Sequence, residues 1–169
     1  MQPTRLIRFP GTPRKPHPLG PLLTRERVGH TVKSRVLALC LLIAVATPLI
    51  VAARLTPDPS GTGTHRQLGF QPCTVLAATG YPCPTCGMTT AFAHTVHGQW
   101  ADAFRSQPMG LLLAVAAIIC VGAAGATLVT GRHWRFNWYR ISPLKTAVVI
   151  LLLFAAAWAY KIITVAAEA

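Results

Sequence analysis

Acidic side chains are scarce in this chain, with 4 Asp and Glu against 16 Lys and Arg in 169 residues. Only Asp58 and Asp102 lie between the first two long apolar runs, and no apolar run contains Asp, Glu or Arg. A carboxylate pair for acid–base chemistry is therefore missing, and a proton or ion pathway through a membrane has no visible carrier. The sequence also contains no phosphate-binding loop and no Ser-His-Asp arrangement. These absences disfavour the corresponding enzyme classes and a transporter.

Long apolar runs are what the chain has in excess, since 52% of its residues are hydrophobic and 12% are charged. The stretches 36–53 and 109–130 hold 18 and 22 residues without a charge, and 146–167 is interrupted only by Lys161. About 20 apolar residues at ~1.5 Å rise each span a bilayer core, and a lysine near a helix end can extend to the interface. Little polar sequence is left to cover these runs. The sequence therefore predicts an all-α integral membrane protein with three transmembrane helices.

Basic residues are distributed unevenly around the three runs. The tail 1–35 and the connector 131–145 together carry 12 Lys and Arg, whereas the loop 54–108 and the C-terminal end carry 4. Cytoplasmic segments near spans hold the Lys/Arg excess, so the N-terminus is expected in the cytoplasm and the loop outside it. Attraction to anionic lipid accounts for the charge, and the aromatic interleaving of a nucleic-acid surface is missing. We expect the bilayer as a partner and no nucleic acid.

Charge is absent from Gln67 to Ala101, a stretch that contains Cys83-Pro84-Thr85-Cys86-Gly87. The pattern predicts a short helix that ends at Gly80 and a second helix that runs from Cys83 towards His97. Neither arm is long enough to cross a bilayer alone. The sequence therefore predicts a helical hairpin over 72–97, lying at the membrane surface or re-entering the membrane. The alternative is a loop domain that lies in water.

The cysteine pair at the turn of this hairpin fits three kinds of chemistry. With Cys83 as the helix cap and Cys86 as its third residue, unpaired N–H groups and the positive helix end would lower a thiol pKa, as in redox Cys-x-x-Cys sites. The same spacing serves zinc or a structural disulfide, and Cys73 could join either. A c-type haem is not indicated, because Gly87 stands where that motif requires His.

A zinc site at these cysteines needs a fourth ligand. His94 lies eight residues beyond Cys86, roughly 12 Å further along a continuous helix at ~1.5 Å per residue, and His97 is further still. Zinc ligands lie about 2.0 to 2.3 Å from the metal, so His65 is the plausible fourth ligand in the loop. Two further cysteines, Cys40 and Cys120, lie inside predicted spans and are expected to behave as small apolar residues.

The residues around the pair also carry a family resemblance. Cys73, the run Thr79-Gly80-Tyr81-Pro82-Cys83-Pro84-Thr85-Cys86-Gly87-Met88-Thr89-Thr90-Ala91-Phe92 and the later Gln107-Pro108 resemble the bacterial membrane family known as domain of unknown function 2752. In that family a Cys-Pro-x-Cys-Gly-[Met/Leu]-Thr core precedes a short helix and a span, and the resemblance covers about residues 57 to 125. Many members carry Arg where this chain has Thr90, and Asn-Pro where it has Gln107-Pro108. The resemblance implies a small bacterial integral membrane protein and brings no established activity.

Two functions fit these features. The leading hypothesis is a non-catalytic, multi-pass component of the bacterial cytoplasmic membrane that contacts other membrane proteins, with Cys73, Cys83 and Cys86 in a structural disulfide or, with His65, in a zinc site. The alternative is a membrane thiol–disulfide oxidoreductase in which Cys83 attacks and Cys86 resolves.

The predicted order of segments is a disordered, proline-rich cytoplasmic tail (1–35), a first span (36–53), an outer loop (54–108) with the cysteine hairpin (72–97), a second span (109–130), a cytoplasmic connector (131–145) and a third span (146–167).

Overall fold

The computed structural model describes the backbone of residues 23–27, 32–130, 132–136 and 142–168, with side chains for 35–130 and 142–167. Three long helices and three short ones make up most of this part of the chain. In chain order the elements are β1 (Leu23–Arg27), α1 (Val32–Arg54), a 3₁₀ helix (Thr64–Leu68), α2 (Thr74–Thr79), α3 (Met88–Val96), α4 (Trp100–Ser106), α5 (Pro108–Thr130), β2 (Arg132–Phe136) and α6 (Pro143–Glu168).

The helices α1, α5 and α6 are long and apolar enough to cross a membrane over Arg35–Arg54, Pro108–Thr130 and Pro143–Ala167. Their outward faces carry large apolar side chains that are about two-thirds exposed, such as Ile119, Leu151 and Ile163. Surfaces of this kind are stable against lipid tails and unfavourable in water. The helical architecture with three spanning-length helices, predicted from the apolar runs, is confirmed.

The helices α1 and α5 pack against each other, and a short antiparallel ribbon joins two of their ends. In this ribbon β1 pairs with β2, from Leu23 opposite Phe136 to Arg27 opposite Arg132. The segment before α1 and the segment after α5 therefore lie at the same end of the helix pair. The prediction of a disordered tail over 1–35 is wrong for Leu23–Arg27, where backbone pairing with the connector supplies an order that local sequence does not show. Residues 1–22 and 28–31 of the tail lie outside the described residues, as do 131 and 137–141 of the connector, and the last residues of the tail belong to α1, which begins at Val32.

The helix α3 is the buried centre of the loop end of the molecule. It packs against α1, α4 and α5, and Thr90, Ala91 and Ala93 are fully buried. Small residues allow this close approach, since a Cβ on Gly110 of α5 would lie 2.8 Å from the Cβ of Ala91. By contrast, no side chain of α2 is buried among the described residues. The two arms of the predicted hairpin therefore differ: α3 is packed inside the protein and α2 lies on its surface.

The start of α3 corrects the sequence prediction. The helix begins at Met88, five residues after the predicted start at Cys83, because residues 84–87 form a turn. Gly87, the residue before the helix, has φ of +84°. A residue in this left-handed conformation cannot be part of a right-handed α-helix, so the helix begins after it. The predicted end is closer: α3 ends at Val96, and Gly98 has φ of +78°.

Two further helical elements in the loop were not predicted, the 3₁₀ helix and α4. Gln107 separates α4 from α5 with φ of −165° and ψ of 108°. This extended conformation is the one that a following proline favours, and Pro108 then occupies the first position of α5, where its missing N–H costs nothing. The junction turns the chain from the loop end into the second long helix.

The helix α6 contacts the loop end through side chains near its C-terminus. The rings of Tyr160 and Phe104 of α4 lie with centroids 5.6 Å apart. Lys161 is only 4% exposed, and its Nζ lies 3.2 Å from the position that a Cβ on Gly61 would occupy. Lys161 therefore does not extend to the membrane interface as expected from the sequence. Its side chain is enclosed against the loop near Gly61.

Candidate metal centre

Three cysteine sulfurs converge at the loop end of the molecule. The Sγ atoms of Cys73, Cys83 and Cys86 all lie within 4.8 Å of one another. Three thiolates bound to one zinc at about 2.3 Å with tetrahedral angles would lie about 3.8 Å apart. A movement of roughly 1 Å or less per sulfur would therefore bring the three onto one ion.

A tight turn and a short helix bring these sulfurs together. Cys73 is the residue before α2, and the N–H of Ala77 donates to its carbonyl at 2.9 Å. Cys83 and Cys86 lie on the turn before α3, where the N–H of Cys86 donates to the Cys83 carbonyl at 3.0 Å. The N–H of Met88 donates to the Thr85 carbonyl at 3.1 Å and closes the next turn. Both cysteines of the Cys-x-x-Cys motif therefore precede α3, and neither lies in the first turn of the helix.

Gly87 allows this turn to pack against the rest of the loop. Besides its positive φ, a Cβ at this position would lie 2.6 Å from the carbonyl oxygens of both Gly61 and Ser106. No real Cβ tolerates such distances, and backbone atoms cannot rotate away as a side chain can. Glycine is therefore required here for both conformation and space.

Burial separates the chemistry of two of the thiols. Cys86 is 5% exposed, and desolvation raises the pKa of its thiol to about 12. Cys73 is partly exposed, and hydrogen bonding from the backbone N–H of Leu76 is the largest cause that lowers its pKa to about 7. The sequence placed the stabilised thiolate at the start of the second helix. In the structure it belongs to Cys73, because α3 begins beyond both Cys83 and Cys86.

His65, the predicted fourth ligand, lies beside the sulfurs without joining their cluster. It lines a cavity of about 370 Å³ whose wall also contains the three cysteines. Its Nε2 lies 3.1 Å from the carbonyl oxygen of Gln71. The other two loop histidines have partners on or near α3: His94 Nδ1 lies 2.6 Å from Gln99 Oε1, and His97 Nδ1 lies 2.7 Å from the Ala93 carbonyl oxygen.

Two side chains that sequence reasoning missed hold the turn from outside. The Trp158 Nε1–H of α6 donates to the Pro82 carbonyl at 2.9 Å, and the Gln107 Nε2–H donates to the Pro84 carbonyl at 2.9 Å. The sequence signal for Trp158 is that of an interfacial aromatic, and Gln107 precedes a proline at a helix start. Neither pattern shows that the side chain reaches the residues beside Cys83. Trp158 is 76 residues from Pro82 in the chain, and Gln107 is 23 residues from Pro84.

The remaining cysteines play no part in this cluster. Cys40 on α1 and Cys120 on α5 are exposed on long helices, as the sequence predicted for small apolar residues in spans. All five cysteines lie in the described part of the chain, and all five are free thiols. Thr90, where many relatives of the resembled family carry Arg, is fully buried, and its Oγ1 has no hydrogen-bond partner among the described residues.

The stretch that builds the centre is also the stretch that matches known sequences. Residues 73–121 match the model of a protein family of unknown function, DUF2752. The match begins at Cys73, contains α2, α3 and α4 and ends within α5, and it supports the resemblance that the cysteine motif indicated. Comparisons with curated proteins and with solved structures gave no match. The DUF2752 segment thus contains all three converging cysteines, whereas His65 and Trp158 lie outside it.

Proposed function

We propose that this protein is a non-catalytic, multi-pass membrane component whose outer loop is held together by one zinc ion on Cys73, Cys83 and Cys86. The observation that carries the proposal is the convergence of three sulfurs within 4.8 Å. Thiolates are the ligands that zinc takes in closed structural sites. The three cysteines line one cavity of about 370 Å³.

A metal accounts for three cysteines better than a disulfide does. A disulfide joins two sulfurs at about 2.05 Å and would leave the third thiol of the cluster unpaired. A zinc ion uses all three at once. The lowered pKa of Cys73 favours the same outcome, because a metal must displace the proton of each thiol and this proton is lost more easily than that of an ordinary cysteine.

His65 supplies the fourth ligand in this proposal. Histidines that bind metals commonly donate their second ring N–H to a backbone carbonyl, which fixes the ring and raises its basicity. The contact between His65 Nε2 and the Gln71 carbonyl is of this kind when Nε2 carries the proton. Nδ1 is then left as the donor atom, and His65 lines the same cavity as the three sulfurs.

The role of the ion follows from how little else holds α2. No α2 side chain is buried among the described residues, so apolar packing contributes little to its position. Through Cys73 the metal would tie the start of α2 to the turn that contains Cys83 and Cys86. Bound zinc therefore acts as a cross-link across ten or more residues of a charge-free loop.

The topology proposed for the chain places this centre outside the cytoplasm. The shared end of β1 and β2 supports placing tail and connector on one side, and their Lys/Arg excess makes that side the cytoplasmic one. The segments proposed from the sequence are tail 1–35, spans 36–53, 109–130 and 146–167, outer loop 54–108 with the hairpin 72–97, and connector 131–145; α1 and α6 begin a few residues before the first and third of these spans. The bacterial cytoplasmic membrane is the proposed location, with lipid and other membrane proteins as partners.

A second candidate function is thiol–disulfide exchange, and the acidity of Cys73 favours it. A partly exposed thiol with a pKa of about 7 is about half thiolate at pH 7 and could attack a partner disulfide. Such an attack would form a mixed disulfide on Cys73 and release one partner thiol; attack by Cys83 or Cys86 on the Cys73 sulfur would then close an internal disulfide and release the second partner thiol. In the pairing that the motif suggests, Cys83 attacks and Cys86 resolves in the same two steps. Burial and the raised pKa of Cys86 argue against rapid exchange at that sulfur.

Metal analysis of purified protein tests the proposal. The wild type in mild detergent should contain close to one zinc per chain, and Cys73→Ser, Cys83→Ser and Cys86→Ser should each lose it. Cys40→Ser and Cys120→Ser are matched controls that should keep the metal, because both residues lie on the long helices. Zinc-free wild type with a cluster disulfide would overturn the metal proposal. A stable Cys86→Ser protein that captures a specific partner in a mixed disulfide would favour exchange.

A further inference from the structure

The two carbonyl groups on either side of Cys83 are held by side chains from distant parts of the chain. Trp158 of α6 donates to the carbonyl of Pro82, and Gln107, between α4 and α5, donates to the carbonyl of Pro84. Both bonds are 2.9 Å long, and Pro82 is fully buried. Cys83 thus lies between two anchored peptide groups.

This part of the backbone cannot be held in the usual way. Proline has no N–H, so Pro82-Cys83-Pro84 has one backbone donor and takes no place in a helix or a sheet ladder. The Cys83 carbonyl already accepts from Cys86 within the turn. Side-chain donors from outside are therefore the means by which the direction of the Cys83 sulfur is fixed relative to the other two.

Gln107 is a rigid donor for this purpose. Its side chain is fully buried, its N–H donates to the Ala103 carbonyl at 3.0 Å, and its carbonyl accepts from Leu111 at 3.1 Å. The backbone of Gln107 is thus tied to both α4 and α5. Its Oε1 is buried and has no hydrogen-bond partner among the described residues, so burial of this amide carries a desolvation cost beside the bond that its N–H makes.

We propose that Gln107 and Trp158 are positioning residues for the metal centre, and that Trp158 couples metal binding to the docking of the third long helix. The inference rests on the proposed zinc-binding function. Partners that orient metal ligands without touching the metal commonly contribute 10- to 100-fold to affinity. Because coupling is reciprocal, bound metal holds the turn in the position that accepts Trp158, and docked α6 holds the sulfurs in the position that accepts metal.

Cobalt titration of the full-length protein in detergent tests the assignment. Trp158→Phe and Gln107→Met remove the N–H donors and keep much of the side-chain volume. Each should weaken cobalt binding about 10-fold or more and change the visible absorption bands, which report ligand geometry. Trp100→Phe is the matched control, because Trp100 is exposed and its side chain has no hydrogen bond among the described residues. Gln107→Asn keeps an amide donor and should bind more tightly than Gln107→Met.

A second measurement makes the inference independent of metal. In metal-free protein, alkylation of buried Cys86 should be faster in Trp158→Phe and Gln107→Met than in the wild type and Trp100→Phe. If the wild type bound no metal but Cys86 still became exposed in the variants, the zinc proposal would fail and the positioning role would stand. Wild-type cobalt affinity and unchanged Cys86 alkylation in both variants would overturn it. Should Gln107→Met not accumulate, Trp158→Phe decides, since its position is 38% exposed and tolerates the smaller ring.

Discussion

Replacing Gly87 by alanine is the sharpest test of how the cysteine turn is built. The residue has φ of +84°, and a Cβ would lie 2.6 Å from the carbonyl oxygens of Gly61 and Ser106. A left-handed conformation costs a non-glycine residue about 1–2 kcal/mol, and overpacking typically adds about 1–3 kcal/mol. Gly87→Ala should therefore destabilise the protein by about 2–5 kcal/mol.

Gly80 supplies a control that separates the two contributions. It ends α2 with φ of +73°, and nothing lies within 4 Å of the position that its Cβ would occupy. Gly80→Ala thus carries the conformational cost of about 1–2 kcal/mol without the clash. The difference between the two variants, about 1–3 kcal/mol, measures the close packing of Gly87 against the loop and α4.

Thermal unfolding of the two variants and the wild type in the same detergent, followed by circular dichroism, gives the comparison. Gly87→Ala should unfold at a clearly lower temperature than Gly80→Ala and should expose Cys86 to alkylation. Equal unfolding temperatures for the two variants would refute the three-way contact of Gly87 with Gly61 and Ser106.

Further predictions concern the thiols, the metal and the membrane. In metal-free protein, Cys73 should react with iodoacetamide with a midpoint near pH 7 while Cys86 stays unreactive below about pH 12; similar profiles would contradict their different environments. Because the pKa of Cys73 is lowered from 9.0, its ionisation stabilises the fold fully above pH 9, and this contribution is lost as pH falls through about 7. Chelation should lower the unfolding temperature of the wild type and leave Cys73→Ser unchanged; an equal drop in both would place the bound metal elsewhere. A reporter fused after Gly63 should be extracytoplasmic and one at Arg135 cytoplasmic, and reversed results would invert the proposed topology. A cysteine introduced at exposed, apolar Phe70 should react with an impermeant maleimide more slowly in liposomes than in detergent; equal rates would mean that this surface stays in water.

The position of the cysteine turn shows where local sequence is an incomplete guide. Pro84 and the cysteine spacing predict a helix start at Cys83. The helix begins at Met88 instead, because Gly87 takes a positive φ that lets it meet Gly61 and Ser106. Those contacts join residues far apart in the chain, and local propensity contains no information about them.

His65 and Trp158 mark a second limit of the same kind. Their distance from Cys86 along a continuous helix excludes His94 and His97 as ligands of the same metal, so the sequence predicts His65 as the fourth ligand. The structure places His65 on the wall of the cavity that the three cysteines also line. Whether its ring binds a metal stays a prediction. The pattern around Trp158 is that of an interfacial aromatic, whereas the hydrogen bond to Pro82 depends on where α6 lies against the loop.

Local sequence is enough to predict the helical class of this protein and its three helices of membrane-spanning length, and it identifies the cysteines and His65 as candidate ligands. Run length and charge are local quantities, so three spanning-length helices follow from them directly. Tertiary structure is needed to show that α3 is buried while α2 is exposed. It is also needed to show that the sulfur of Cys73 lies close to those of Cys83 and Cys86. These features arise from packing between α1, α3, α4 and α5, where small side chains set the distances and Gly87 and Gly110 have no room for a Cβ.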